Sequence, residues 1–273
     1  SITTGTGNNA YGIYNDGAFN TTTVSGSITT TGSTASGIRN LGSNNTTTVS
    51  GSITAKGYMA RGIYNSGSTN TTTVSGSITT KGDNAYGIYI YGDDNVTTVS
   101  GSIKTEGVSS TGIRNYGDDN VTTVSGSIKT EGNNSHGIRN RGDDNVTTIS
   151  GTVKATGASS AALYSEVGDG NSFTLNEGAT IIGDILARDS TNNASDATNS
   201  KLIFNLGAST SYAYSVSGKG EGTTAGQWTF SDLDGPTQGI TTTGTGCDTT
   251  ISDADVTVCN LVTGVSTGNL EVQ

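Results

Sequence analysis

The sequence predicts an all-β chain folded as a parallel β-helix, a solenoid whose coils are ~25 residues long. Three observations predict it. Through residues 1–165 the same letters return in phase: Gly12-Ile13, Gly37-Ile38, Gly62-Ile63, Gly87-Ile88, Gly112-Ile113 and Gly137-Ile138. A fixed period of this length marks a stack of units, each burying its apolar side against its neighbours. Composition is the second observation: 30% hydrophobic, 13% charged, 41 glycines and one proline. Ordinary globular domains carry roughly 45–50% apolar and about 25% charged residues. So lean a chain is either disordered or built round a narrow interior, and disorder does not hold Ile and Val at constant phase. Third, no stretch of useful length has helical periodicity, whereas Thr, Val, Ile and Tyr, which favour strands, are abundant.

The elements follow from one coil, residues 10–34. "AYGIYN", "TTTVSG" and "SITTTG" read as three short strands, with Gly17 and Gly32 at the turns. Alternation points Ala10, Ile13, Val24 and Ile28 inward, with Thr22 and Thr30 sharing the inward parity. Asn recurs at 15, 40, 65, 115 and 140, with Ile90 as the exception, and again at 20, 45, 70, 95, 120 and 145. Stacked Asn side chains can hydrogen-bond from coil to coil, and Asn tolerates the left-handed backbone of corners. About eleven such coils make a rod on the order of 50 Å long. From residue 166 the register fades, so 166–273 is expected to be a less regular β-helical continuation ending in a cap-like segment. Within it, 188–201 reads as a long polar loop, and Trp228, Phe230 and Leu233 are placed to seal the far end.

Net charge is −10. That argues against nucleic acid, which requires clustered Lys and Arg, and against adsorption to anionic membranes. No run of ~18 apolar residues exists, so no helix of this chain spans a bilayer. The chain has no signal peptide or initiator Met and opens on "SITTGTG", inside the array. The expectation is a mature or excised piece of a longer protein.

Two blocks carry a resemblance. "A-x-G-I-x-N-x-G" (Ala10, Gly12, Ile13, Asn15, Gly17) and "N-x-T-T-V-S-G-S-I" (Asn20, Val24, Gly26, Ile28) resemble the passenger domains of bacterial autotransporters. "LIFNLG" and "GKGEGTTAGQWTF" are similar to the less regular passenger segment that precedes the translocator barrel. The resemblance covers most of the chain. It implies a right-handed β-helix, export to the extracellular side of a bacterial cell surface, and roles in adhesion, self-association or display. Cys247 and Cys259 lack the CxxC spacing of a redox or zinc site, and in an exported protein a disulfide between them is expected.

The outward positions of the array concentrate tyrosine and arginine. One ladder reads Tyr14, Arg39, Tyr64, Tyr89, Arg114, Arg139 and Tyr164. A second reads Tyr11, Ser36, Arg61, Tyr86, Thr111 and His136, and a third Asp16, Leu41, Ser66, Tyr91, Tyr116 and Arg141. Such residues offer large contact area with hydrogen-bonding tips, and stacked on one another they also brace neighbouring coils. Three coils carry "GDDN": Asp93-Asp94, Asp118-Asp119 and Asp143-Asp144. Stacked carboxylates repel, and bound Ca²⁺ is one relief, although the spacing matches no established calcium loop. No other cofactor is implied. Thr-x-Thr pairs such as Thr21/Thr23 suggest ice binding only weakly, because the first Thr becomes Val96, Val121 and Val146. His136 is the one histidine, and no acidic cluster interrupts the repeat as a catalytic exception. The Asn-x-Thr matches read as by-products of the repeat.

The sequence therefore points to an exported, non-catalytic rod whose lateral face mediates adhesion or self-association. Its partners are itself, a host or cell-surface protein, or a glycan. The alternative is a structural subunit of a surface layer or filament, joined end to end through strand edges. A polysaccharide-acting enzyme comes third, since β-helices also host such chemistry.

Overall fold

The structure, a computed structural model, describes residues 1–188 throughout, and beyond them 197–198, 200–205, 211–218, 228–232, 240–245, 257–259 and 264–272. From residue 206 onward only backbone is described. The described residues contain no helix, and three parallel sheets stack as a β-solenoid of about eight turns. The third coil is representative: Arg61–Ser66, Thr71–Val74 and Ser77–Thr80. Strands of these three kinds form sheets I, II and III respectively.

Register follows the period. Ile63 pairs with Ile88, Val74 with Val99 and Ile78 with Ile103, each one repeat further on. Stacking thus places like on like, and Ile38, Val49, Ile53, Ile63 and Val74 are all essentially inaccessible. Each such side chain contributes on the order of 1.5–3 kcal/mol, so a few per coil suffice when every coil is covered above and below.

Both Asn ladders are internal. Asn15 donates from Nδ2 to Thr22 Oγ1 at 2.8 Å and to Asn40 Oδ1 at 2.7 Å, and Asn40 repeats the pattern with Thr47 and Asn65. In the second ladder the backbone N–H of Asn45 donates to Asn70 Oδ1 at 2.8 Å, and that of Asn70 to Asn95 Oδ1. Asn45, Asn70, Asn95, Asn120 and Asn145 are buried. The left-handed corners fall elsewhere than on these ladders. They occupy Asn9, Thr34, Met59, Asn84 and their successors, and Phe19, Asn44, Thr69, Asp94, Asp119 and Asp144, at φ between 51° and 60°. The Asn ladder therefore sits one residue after the strained corner and ties down its exit amide.

Glycine at 32, 57, 82, 107, 132 and 157 serves proximity. A Cβ at Gly82 would overlap the carbonyl oxygen of Gly57 in the coil below, so the corners close to sheet spacing only without a side chain.

Regularity breaks after the sixth repeat. Asn140 pairs with Ser165 but Arg141 with Val167, a bulge that inserts Glu166. The later strands do not simply continue as coils. Sheet III ends at Thr180–Ile182, while sheets I and II carry on in parallel to Ser211–Gly218 and Trp228–Asp232. Pairing then turns antiparallel: Gly264–Val272 lies against Ser211–Gly218 and Ile240–Thr245, and Thr257–Cys259 against Trp228–Asp232. The expectation of about eleven coils is corrected to about eight turns followed by antiparallel strands. Cys247 and Leu233 lie outside the described residues, as do 189–196 and 199 of the polar loop; of Cys259, Trp228 and Phe230 only the backbone is described.

Candidate functional site

Alternation along each sheet I strand buries Ile63 and Asn65 and turns Arg61, Tyr64 and Ser66 outward. Because neighbouring strands pair in register, the outward side chains of successive coils meet. Tyr64 stacks on Tyr89 with ring centroids 5.4 Å apart, and Tyr91 on Tyr116 at 5.1 Å. Tyr86 tilts against Tyr89 at 5.2 Å, and Tyr11 stacks on Tyr14 at 5.6 Å. Guanidinium groups lie over these rings. Arg61 sits 4.7 Å from the Tyr64 centroid and 5.0 Å from Tyr89. Arg114 sits 5.4 Å from Tyr86 and donates from Nη1 to its hydroxyl at 2.9 Å. Arg39 lies 4.7 Å over Tyr11 and hydrogen-bonds its hydroxyl, while Arg141 lies 4.8 Å over Tyr116. The residues named from the sequence therefore form one continuous lattice. Most are half-buried, with Tyr14 and Tyr91 the most open.

The second ladder departs from its expected outward setting. Ser36, Thr111 and His136 are buried, whereas Arg61 and Tyr86 of the same ladder reach the surface. The small members lie beneath longer neighbours: Ser36 is in register with Arg61, and the His136 ring lies 4.6 Å from that of Tyr164. His136 Nδ1 accepts the Ala161 amide at 3.1 Å, and burial together with Arg139 lowers its pKa to about 4. This buried, neutral imidazole is a packing element and not an exposed base.

Charge on the face is unevenly compensated. Arg139 binds Glu166 through Nε at 2.7 Å and through Nη2, with Arg188 at 3.4 Å and Arg141 at 3.9 Å. Burial pushes the Glu166 carboxyl up, but the Arg139 hydrogen bond and the charges of Arg139, Arg114 and Arg141 outweigh it and hold it below its ordinary value. Arg39, Arg61 and Arg114 have no carboxylate within ion-pair distance among the described residues. Burial pulls the pKa of Arg61 down, and the surrounding tyrosines Tyr64, Tyr89 and Tyr86 oppose that shift. Sheet III, by contrast, pairs its own charges: Lys104 reaches Glu106 at 2.9 Å and Glu131 at 3.2 Å.

Sequence reasoning left Glu166 and Arg188 out of the face. The readable sign was "GDGN" at 168–171, which repeats "GDDN" at a spacing of 26 and so betrays one inserted residue. Asn171 accordingly continues the second Asn ladder, with its Oδ1 accepting the Asn145 amide.

The aspartate corners link successive coils. The Asp118 amide donates to Asp93 Oδ1 at 2.9 Å, Asp143 to Asp118 at 2.8 Å and Asp169 to Asp143 at 2.8 Å. Asp93, Asp118 and Asp143 thus serve as rungs between coils, and Asp94, Asp119 and Asp144 occupy the left-handed corners. Among the described residues no group of three or more carboxylate, His or Cys side chains is placed to hold a metal ion. One carboxylate oxygen of each rung is thus engaged by a backbone amide of the next coil. No helix among the described residues is long and apolar enough to cross a membrane. Comparison with protein-family models, curated proteins and solved structures gives no match to this chain.

Proposed function

We propose that this chain is the rod of an exported cell-surface protein and acts by contact, in adhesion or self-association, through the Tyr/Arg face of sheet I. The observation that carries the reading is the set of guanidinium groups at Arg39, Arg61 and Arg114, seated on tyrosine rings without an ion-paired carboxylate among the described residues. Surfaces rich in tyrosine and arginine supply large, stiff contact areas, and a cation already partly desolvated costs less to cover with a partner. The resemblance to autotransporter passengers supports the extracellular setting.

Sedimentation velocity over a broad concentration range tests the reading, with Tyr64→Ser/Tyr89→Ser beside the parent chain. Association lost in the double variant supports lateral contact through this face. Association that survives it favours the second reading, end-to-end assembly through β-strand edges. A rod that neither associates nor binds cell surfaces, yet cleaves a glycan panel, replaces both with catalysis.

A further inference from the structure

The chain displays on its own face how that face takes an anion. Arg39, Arg114 and Arg139 occupy one ladder position, and in-register pairing gives them the same backbone setting. At Arg139 a carboxylate is present: Glu166, swung in by the bulge, accepts a hydrogen bond from Nε and forms an ion pair with Nη2 of the same guanidinium, next to the Tyr164 ring 5.4 Å from that Arg. At Arg114 the same guanidinium lies over Tyr86, Tyr89 and Tyr116 and spends one N–H on the Tyr86 hydroxyl, with no carboxylate within ion-pair distance among the described residues. Arg61, two coils earlier, lies between Tyr64 and Tyr89 and makes no ion pair among the described residues.

We propose that the strip Arg61–Tyr64–Tyr86–Tyr89–Arg114 is a binding site for an acidic polysaccharide whose sugar carboxylates pair with the Nη groups of Arg61 and Arg114, as Glu166 pairs with Nη2 of Arg139. The proposal rests on the contact-face reading above and names its ligand class. Two features select this class. A guanidinium fork matches a carboxylate with two parallel hydrogen bonds, and its charge survives partial burial. The partly exposed tyrosine rings stacked beside the arginines offer apolar edges to a sugar ring. Spacing agrees as well. Coils repeat at roughly 4.8 Å, so Arg61 and Arg114 stand about two coil rises apart. A linear polyuronate running along the rod then presents successive rings to successive coils. Complementarity is local, because the chain as a whole is acidic at −10. A polyanion is therefore repelled elsewhere and admitted at this strip.

Polygalacturonate is the probe, and the same polymer with its carboxyl groups reduced to alcohols is the control. Binding is followed by calorimetry at low and high salt, on the parent chain, on Arg61→Gln/Arg114→Gln and on Lys104→Gln, which removes a cation from sheet III. The parent is expected to bind polygalacturonate, to ignore the reduced polymer and to weaken as salt rises. Each lost arginine is expected to weaken binding about tenfold, with Lys104→Gln unchanged. Equal binding of both polymers, equal loss in Lys104→Gln, or no heat with polygalacturonate at low salt overturns the proposal. Sedimentation of Tyr64→Ser/Tyr89→Ser reports on the underlying face separately. Association that depends on those tyrosines, without polyuronate binding, sinks the ligand class and leaves the contact face standing.

Discussion

Residue by residue, the interior is a set of polar and apolar columns, and a single exception reveals what each column does. Ile90 stands where the first ladder has Asn. It fills its place and is fully buried, but it donates nothing, and the hydroxyl of Thr97 and Oδ1 of Asn115 are left without partners. In the coil below, Thr72 Oγ1 accepts from Asn65 at 2.8 Å. The same substitution should therefore act with opposite sign one coil apart. Thr97→Val removes an orphaned hydroxyl and is expected to stabilise the rod by about 1 kcal/mol, whereas Thr72→Val strands the Asn65 amide and costs about 1 kcal/mol. Urea midpoints of the two variants check this, and a shared sign refutes the ladder account. His136 supplies a pH dependence. Its folded pKa of about 4 lies below the unfolded 6.5, so the unfolded chain takes up the proton first. Stability is fully present above pH 6.5 and drains away as pH falls towards 4, by at most about 3 kcal/mol. In His136→Gln that slope should vanish from the pH profile of the melting temperature.

At the scale of the strand and corner, glycine and the bulge decide the geometry. In one corner column, a methyl group at Gly82 meets the Gly57 carbonyl, while at Gly7 nothing lies within 4 Å. Gly82→Ala should cost about 3 kcal/mol or more, in the range of severe steric substitutions, and Gly7→Ala should be nearly silent. Thermal melts of the pair distinguish a demand for close approach from a general dislike of alanine in corners. The bulge at Glu166 works differently: one extra residue re-aims a side chain without breaking the stack, since Val167 still pairs with Arg141. The period made the ladders legible in advance. It could not show that Ser36, Thr111 and His136 would be roofed over, because their burial depends on which neighbour in the next coil is long.

For the whole molecule, repetition multiplies charge as readily as it multiplies core. Burial, together with the charges of Asp94, Asp144, Asp118 and Asp93, raises the pKa of Asp119. A raised carboxyl pKa means that ionisation favours the unfolded chain, so this destabilisation is present at neutral pH and relieved as the group protonates on acidification. Asp119→Asn is expected to raise the melting temperature at pH 7 in low salt. The gain should shrink at high ionic strength and on acidification into the carboxylate range; a gain unaffected by salt excludes like-charge repulsion as its cause.

The sequence by itself determined the coil: its length, its three strands, the inward Ile and Val and the two Asn columns. Each recurs in phase, and in a stack every residue's neighbour is its own equivalent one period away. The Tyr/Arg face was legible for the same reason. Only the tertiary structure decided the carboxylate supply to that face, the turn count and the antiparallel end. Glu166 meets Arg139 and Arg188 across a register shift. Gly264–Val272 finds Ser211–Gly218 through pairing that no periodicity encodes. Where residues lack a common phase, their partners are set by packing across sequence distance, which a chain read letter by letter does not contain.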